Sequence, residues 1–150
     1  MTAGEELVVQ EALCILQREL SNRCVGPSIY GTQRLLDYLR MNYSLETQEI
    51  FGCIYLNPKL QIIKHEVLFR GTVDNCATYP RELVKAVLHH NAVGVILVHN
   101  HPSGDSKPSI ADLELTRTVT TILKSIGVRL HDHVIMAGGQ CYSMIENGDF

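Results

Sequence analysis

Six successive residues, Val93-Gly94-Val95-Ile96-Leu97-Val98, form a nearly continuous apolar run with no polar alternation. A strand wetted on one face alternates polar with apolar, so this run requires cover on both faces and a central place in a helix-flanked sheet. It ends directly on His99-Asn100-His101-Pro102-Ser103-Gly104. In α/β folds ligands gather beyond the carboxyl ends of central strands, so the strand that most constrains the fold also delivers the most reactive side chains.

The rest of the chain supplies the cover. Leu7, Val8, Ala12, Ile15 and Leu16 recur near helical spacing over residues 5–20, and Leu35, Leu36 and Leu39 do so over 32–41. Strand-like runs at 50–56 and 62–69 flank the turn Asn57-Pro58-Lys59, which predicts a β-hairpin. Pro80 opens a helix carrying Leu83, Val84, Val87 and Leu88 and ending near Asn91. Ser109 opens another, with Leu115, Val119, Ile122, Leu123 and Ile126 as its apolar stripe and Gly127 as its stop. Two closing strands, 134–137 and 141–145, are joined by Gly138-Gly139-Gln140. This order predicts a mixed sheet sandwiched by helices. At 150 residues the chain fits one core, with residues 1–27 as an N-terminal helical arm, a hinge within 21–28, and residues 28–150 as the domain proper.

Charge excludes some functions. With 13 basic and 16 acidic residues the net charge is −3, so the chain lacks the basic footprint of a stand-alone nucleic-acid binder. Cys14, Cys24, Cys53, Cys76 and Cys141 are odd in number and contain no C-x-x-C pair, which predicts buried thiols in a reducing compartment. The N-terminus carries Glu5 and Glu6 where a secretory signal would be basic, and no apolar run approaches the roughly 20 residues that span a bilayer. A cytoplasmic protein without membrane contact is the expectation.

Two histidines two residues apart in an extended segment project to one side, so His99 and His101 can reach a single cation while Asp112 returns from the start of the next helix. Three protein ligands leave one coordination position for water, as hydrolytic zinc sites require. Each half also has a purely structural explanation. A His-x-His pair at a strand end can sit in solvent, and Ser109-x-x-Asp112 can be a capping box, a duty Asp112 is not expected to combine fully with metal ligation. His131-Asp132-His133 is a second His-x-His, without a following carboxylate at a helix start, and is expected at the surface or behind the ligands. His89 and His90 are expected to complement a helix dipole. Asn100 and Asp105 are candidates for orienting the ligand loop.

Positions 99, 101, 109 and 112 match the JAMM metalloprotease motif, a distant glutamate, His-x-His, seven residues, then Ser-x-x-Asp. With Val67-Leu68-Phe69-Arg70-Gly71-Thr72 and Tyr79-Pro80-Arg81-Glu82 alongside, the chain from about residue 28 onward closely resembles the RadC family of bacterial proteins. The resemblance implies a three-layer α/β/α sandwich of the cytidine-deaminase-like (JAB/MPN) type. It implies His99, His101 and Asp112 as zinc (Zn2+) ligands, Ser109 beside the bound water, and Glu66, 33 residues before His99, as the general base. The function implied is a zinc-dependent peptidase-like hydrolase that cleaves an amide bond of a peptide or protein. The alternative is a DNA repair or recombination accessory protein that uses the fold as a binding module. The arm shows no helix-hairpin-helix pattern, as in short forms of the family, and Asn100 stands where deubiquitinating relatives carry serine or threonine. A nucleobase deaminase would need a P-C-x-x-C signature that this sequence lacks.

Overall fold

The computed structural model describes residues 1–21, 33–71 and 78–150. Along the chain run helices α1 (Ala3–Leu20) and α2 (Gln33–Tyr43), strands β1 (Ile50–Leu56) and β2 (Ile62–Arg70), and helix α3 (Thr78–His89). Strand β3 (Gly94–Asn100), helix α4 (Ile110–Ser125) and strands β4 (Arg129–Ala137) and β5 (Gln140–Ser143) complete it. The strands form one sheet in the order β2-β1-β3-β4-β5. Pairing is antiparallel except between β3 and β4, which are parallel and joined through α4. From Gly94 on the apolar run is therefore the middle strand, and every residue of β3 is buried, whereas Val93 precedes the strand and is exposed.

Alternation along the strands sorts the core into two halves. Ile54, Ile96, Val98, Val134 and Met136 face α1 and α2, where Leu35, Leu36, Leu39 and Tyr43 cover them. Cys53, Tyr55, Val95 and Leu97 face α3 and α4, against Leu83, Val87, Leu115, Val119 and Leu123. The result is a three-layer α/β/α sandwich with a mixed sheet.

Several sequence expectations change. On α1 the packed stripe is Leu13, Leu16 and Leu20, whereas Leu7, Val8 and Ile15 are exposed, because the 13/16/20 spacing is the one that meets α2 and the sheet. Cys53 is buried, but Cys14 is exposed on α1; Cys24 and Cys76 lie outside the described residues, as does most of the expected hinge. Strand β4 begins at Arg129, five residues earlier than expected, because its polar Asp132 and His133 are buried and hydrogen-bonded inside the sheet. No helix among the described residues is long and apolar enough to cross a membrane.

A buried polar contact docks α2 on the hairpin. The His65 ring of β2 stands 2.8 Å from Tyr38 Oη through Nδ1 and 2.8 Å from Tyr43 Oη through Nε2. Burial pulls its pKa down to about 4, which keeps the ring neutral. Room for Tyr43 comes from Gly52 on β1, where a Cβ would collide with the tyrosine hydroxyl.

Candidate metal centre

His99 shares the parity of Val95 and Leu97, so its side chain points to the α4 side of the sheet; His101 follows on the same side. Asn100 points the other way. Its amide oxygen accepts the Ile50 N–H at 2.7 Å and its amide nitrogen donates to the Gln48 carbonyl at 3.0 Å. Beyond the strand the chain turns tightly, the Gly104 N–H donating to the His101 carbonyl at 3.0 Å with Gly104 at φ +85°. That turn brings the Asp105 carbonyl to 2.7 Å from His101 Nδ1. A carbonyl only accepts, so His101 carries a proton on Nδ1 and turns Nε2 toward His99 and Asp112. The Asp105 carboxylate itself accepts the Lys107 N–H at 3.0 Å and so shapes the loop.

Asp112 stands at the third position of α4. Its Oδ2 accepts the Ser109 N–H at 2.7 Å while Ser109 Oγ accepts the Asp112 N–H at 3.1 Å, a complete capping box. The same carboxylate lies 3.2 Å from His99 Nε2 through Oδ1 and 3.2 Å from His101 Nε2 through Oδ2. The expected conflict between capping and clustering is thus absent: two carboxylate oxygens have lone pairs enough for both. Ser109, an exposed residue three positions before Asp112, caps the helix at the rim of the cluster.

His99, His101 and Asp112 each present a donor atom within 4.8 Å of the others. The two Nε2 atoms are 2.9 Å apart, beside a carboxylate whose pKa falls far below the usual range because the hydrogen bonds it accepts, that of His101 foremost and that of the Ser109 N–H with it, outweigh the cost of burial. Asp112 in turn raises His101, with help from the Asp105 carbonyl and from Glu49. Two imidazole nitrogens and one carboxylate oxygen, each already oriented by a further hydrogen bond, are a donor set that suits Zn2+.

Glu66 is not brought to this cluster. It pairs with Cys53, which pairs with Leu97, whereas His99 lies across from Phe51. Two strand spacings and two residues of rise put its Cα roughly 12 Å from that of His99. The carboxylate instead accepts the Tyr55 hydroxyl at 2.8 Å and sits 3.3 Å from His90 Nε2, so His90 is engaged with Glu66. These partners, with Lys64, lower its pKa against the opposing effect of burial.

Glu49 is an acidic residue that does lie close to the cluster. Extending the antiparallel β1–β3 register by two pairs sets it across from His101, and its charge helps to raise the His101 pKa. It is half-buried, and its backbone carbonyl accepts the Gly71 N–H at 2.7 Å. Sequence reasoning missed it because its place depends on which strand pairs with β3; the available signal was an acidic residue at the leading end of the hairpin.

Behind the cluster lies His133. A register irregularity where Val95 pairs with Leu130 and Ile96 with Asp132 leaves His131 extra on β4. The extra residue flips the alternation, so His133 joins Leu130 on the α4 side. There its ring is fully buried and meets His99 Nδ1 at 2.8 Å through Nε2.

A mixed five-stranded sheet between helices, with a His-His-Asp group at the carboxyl end of its central strand, defines an α/β domain of the JAB/MPN class that can hold a metal ion. The chain belongs to the RadC-like JAB domain family, whose model matches residues 29–149. It is 40% identical to UPF0758 protein YkfG of Escherichia coli K12, over 99% of this chain and 92% of that protein. It is 38% identical to UPF0758 protein YeeS of the same strain, over 99% of both chains. With UPF0758 protein Pfl01_5539 of Pseudomonas fluorescens it shares 48% identity over 93% of this chain, spanning 63% of that protein's length.

Proposed function

We propose that this protein is a zinc-dependent hydrolase of amide bonds in a peptide or protein, with His99, His101 and Asp112 as the metal ligands. The observation that carries the reading is the convergence of three oriented donors, one from the end of β3, one from the residue just beyond it and one from the α4 capping box, at the open end of the central strand. Zinc held there would supply a water with a pKa near about 7 and polarise a substrate carbonyl.

The chain's own residues divide the remaining work. Glu49 replaces Glu66 as the group that takes a proton from the attacking water and returns it to the leaving nitrogen, because it alone of the two stands beside the ligands. The Asn100 contacts on either side of Glu49 hold that carboxylate's backbone in place. Ser109 keeps its hydroxyl proton while its oxygen caps α4, and that proton is available to a developing oxyanion.

Metal analysis followed by hydrolysis of a peptide library tests this reading. Expected are one zinc per chain and cleavage that Glu49→Gln abolishes without loss of zinc, while Glu66→Gln keeps it. Stoichiometric zinc with no cleavage, or full activity in Glu49→Gln, overturns it.

A further inference from the structure

We propose that Thr116 and His133 are positioning residues that dictate which nitrogen of His99 carries its proton, leaving Nε2 open on the side of the metal ligands. The inference takes its significance from the metal reading above, but the proton positions follow from the hydrogen bonds alone. Thr116 lies one turn beyond Asp112 on the buried stripe of α4 and is 0% exposed. Its Oγ1 is 2.6 Å from the Asp112 backbone carbonyl and 2.6 Å from His133 Nδ1.

One hydroxyl has one proton to give. The Asp112 carbonyl can only accept, so the proton goes there, and His133 Nδ1 must then donate to the hydroxyl oxygen. His133 is 0% exposed, its backbone N–H goes to Asp132 Oδ1, and among the described residues its ring nitrogens meet only Thr116 Oγ1 and His99 Nδ1, so with no carboxylate on the ring it is neutral and holds a single N–H. With that proton on Nδ1, its Nε2 is an acceptor. The atom 2.8 Å away is His99 Nδ1, which must therefore donate. His99 is left with a bare lone pair on Nε2, the atom 2.9 Å from His101 Nε2 and 3.2 Å from Asp112 Oδ1.

Rotation of either ring would break the relay, and Phe51 hinders it. Its ring stacks near His99 at 6.0 Å between centroids and meets His133 edge-on at 5.7 Å. The relay starts from the main chain of one ligand, Asp112, and ends on the ring of another, His99, so it also ties α4 to β3. Without the Thr116 hydroxyl the His133 proton has no acceptor on Nδ1. Moving it to Nε2 lets it donate to His99 Nδ1, which drives the His99 proton onto Nε2, where a metal would have to displace it.

Long-range 15N–1H spectra of the histidines in the metal-free full chain, with zinc titrations, test this. In the wild-type protein His133 and His99 are both expected to carry their proton on Nδ1. Thr116→Val should shift the His99 proton to Nε2 and weaken zinc binding by about 10–100-fold. Thr116→Ser, which restores the hydroxyl, should return both readouts to within about twofold of wild type. A wild-type spectrum with the His99 proton on Nε2, or a folded Thr116→Val that binds zinc as tightly as wild type, overturns the proposal. The wild-type spectrum decides the relay even if the valine variant fails to fold. A wild-type protein that binds no zinc overturns the metal reading instead, and the metal-free spectrum still reads the relay.

Discussion

The side-chain oxygen of Asn100 accepts the backbone N–H of Ile50 at 2.7 Å. Because the same amide donates to the Gln48 carbonyl at 3.0 Å, the asparagine between the two histidines grips the chain on both sides of Glu49. Serine, with a shorter side chain and one donor, cannot make both contacts. Asn100→Ala should leave the buried Ile50 N–H without its side-chain partner and cost about 1–3 kcal/mol, seen as a lower midpoint in denaturant unfolding. Hydrolysis should fall more than zinc content does, since the ligands stay while Glu49 loses its support. Loss of zinc in parallel with activity would show that Asn100 serves the ligands instead.

Capping and ligation can be separated at the start of α4. Ser109→Ala removes the side-chain acceptor for the Asp112 N–H but leaves the Asp112 carboxylate, and should destabilise the protein by about 0.5–2 kcal/mol. The stabilisation gained on adding zinc should remain. Asp112→Ala removes both roles, so its unfolding midpoint should no longer respond to zinc. Chelation of wild-type protein should reproduce that loss, since a ligand at about 100 times its Kd contributes about 2.7 kcal/mol.

The His65 contact to Tyr38 and Tyr43 makes stability depend on acid. Burial depresses the folded pKa to about 4, below the 6.5 of the free side chain, so the unfolded chain binds the proton first as pH falls. The contribution is fully present above pH 6.5 and is lost progressively between 6.5 and about 4, to a total of about 3 kcal/mol. Urea unfolding at pH 7.5 and 5 should show this loss in wild type and a smaller one in His65→Gln. Equal acid sensitivity in both would assign it to other groups.

Gly52 tests the same junction sterically. A Cβ there would occupy the place of the Tyr43 hydroxyl and stand 3.0 Å from the His65 Nε2 and the Glu66 carbonyl. Gly52→Ala should therefore push α2 away from the sheet at a cost of about 1–3 kcal/mol, read as a lower thermal midpoint. Retention of the wild-type midpoint would mean that Tyr43 can move aside freely.

Much of this protein was legible along the chain. The unbroken run at 93–98 required a central strand covered on both faces, and the spacings of His99, His101, Ser109 and Asp112 placed them at one strand end and one helix start. Such inferences need only the period of two of a strand and the 3.6 residues per turn of a helix, both properties of neighbouring residues. Glu66 lies away from the ligands it was expected to join, for a reason of another kind. Nothing in a hairpin's own pattern says that its first strand, not its second, pairs with β3, and so the register brings Glu49 rather than Glu66 level with the ligands. Likewise the extra residue at His131 decides which face His133 takes, and the alternation of β4 alone would have turned it away. Strand pairing is chosen by the whole core, because it is the burial of both sheet faces that selects one register over its neighbours. The sequence by itself thus determined the three-layer sandwich and the three candidate ligands; the acid beside them and the buried ring behind them were decided by tertiary structure.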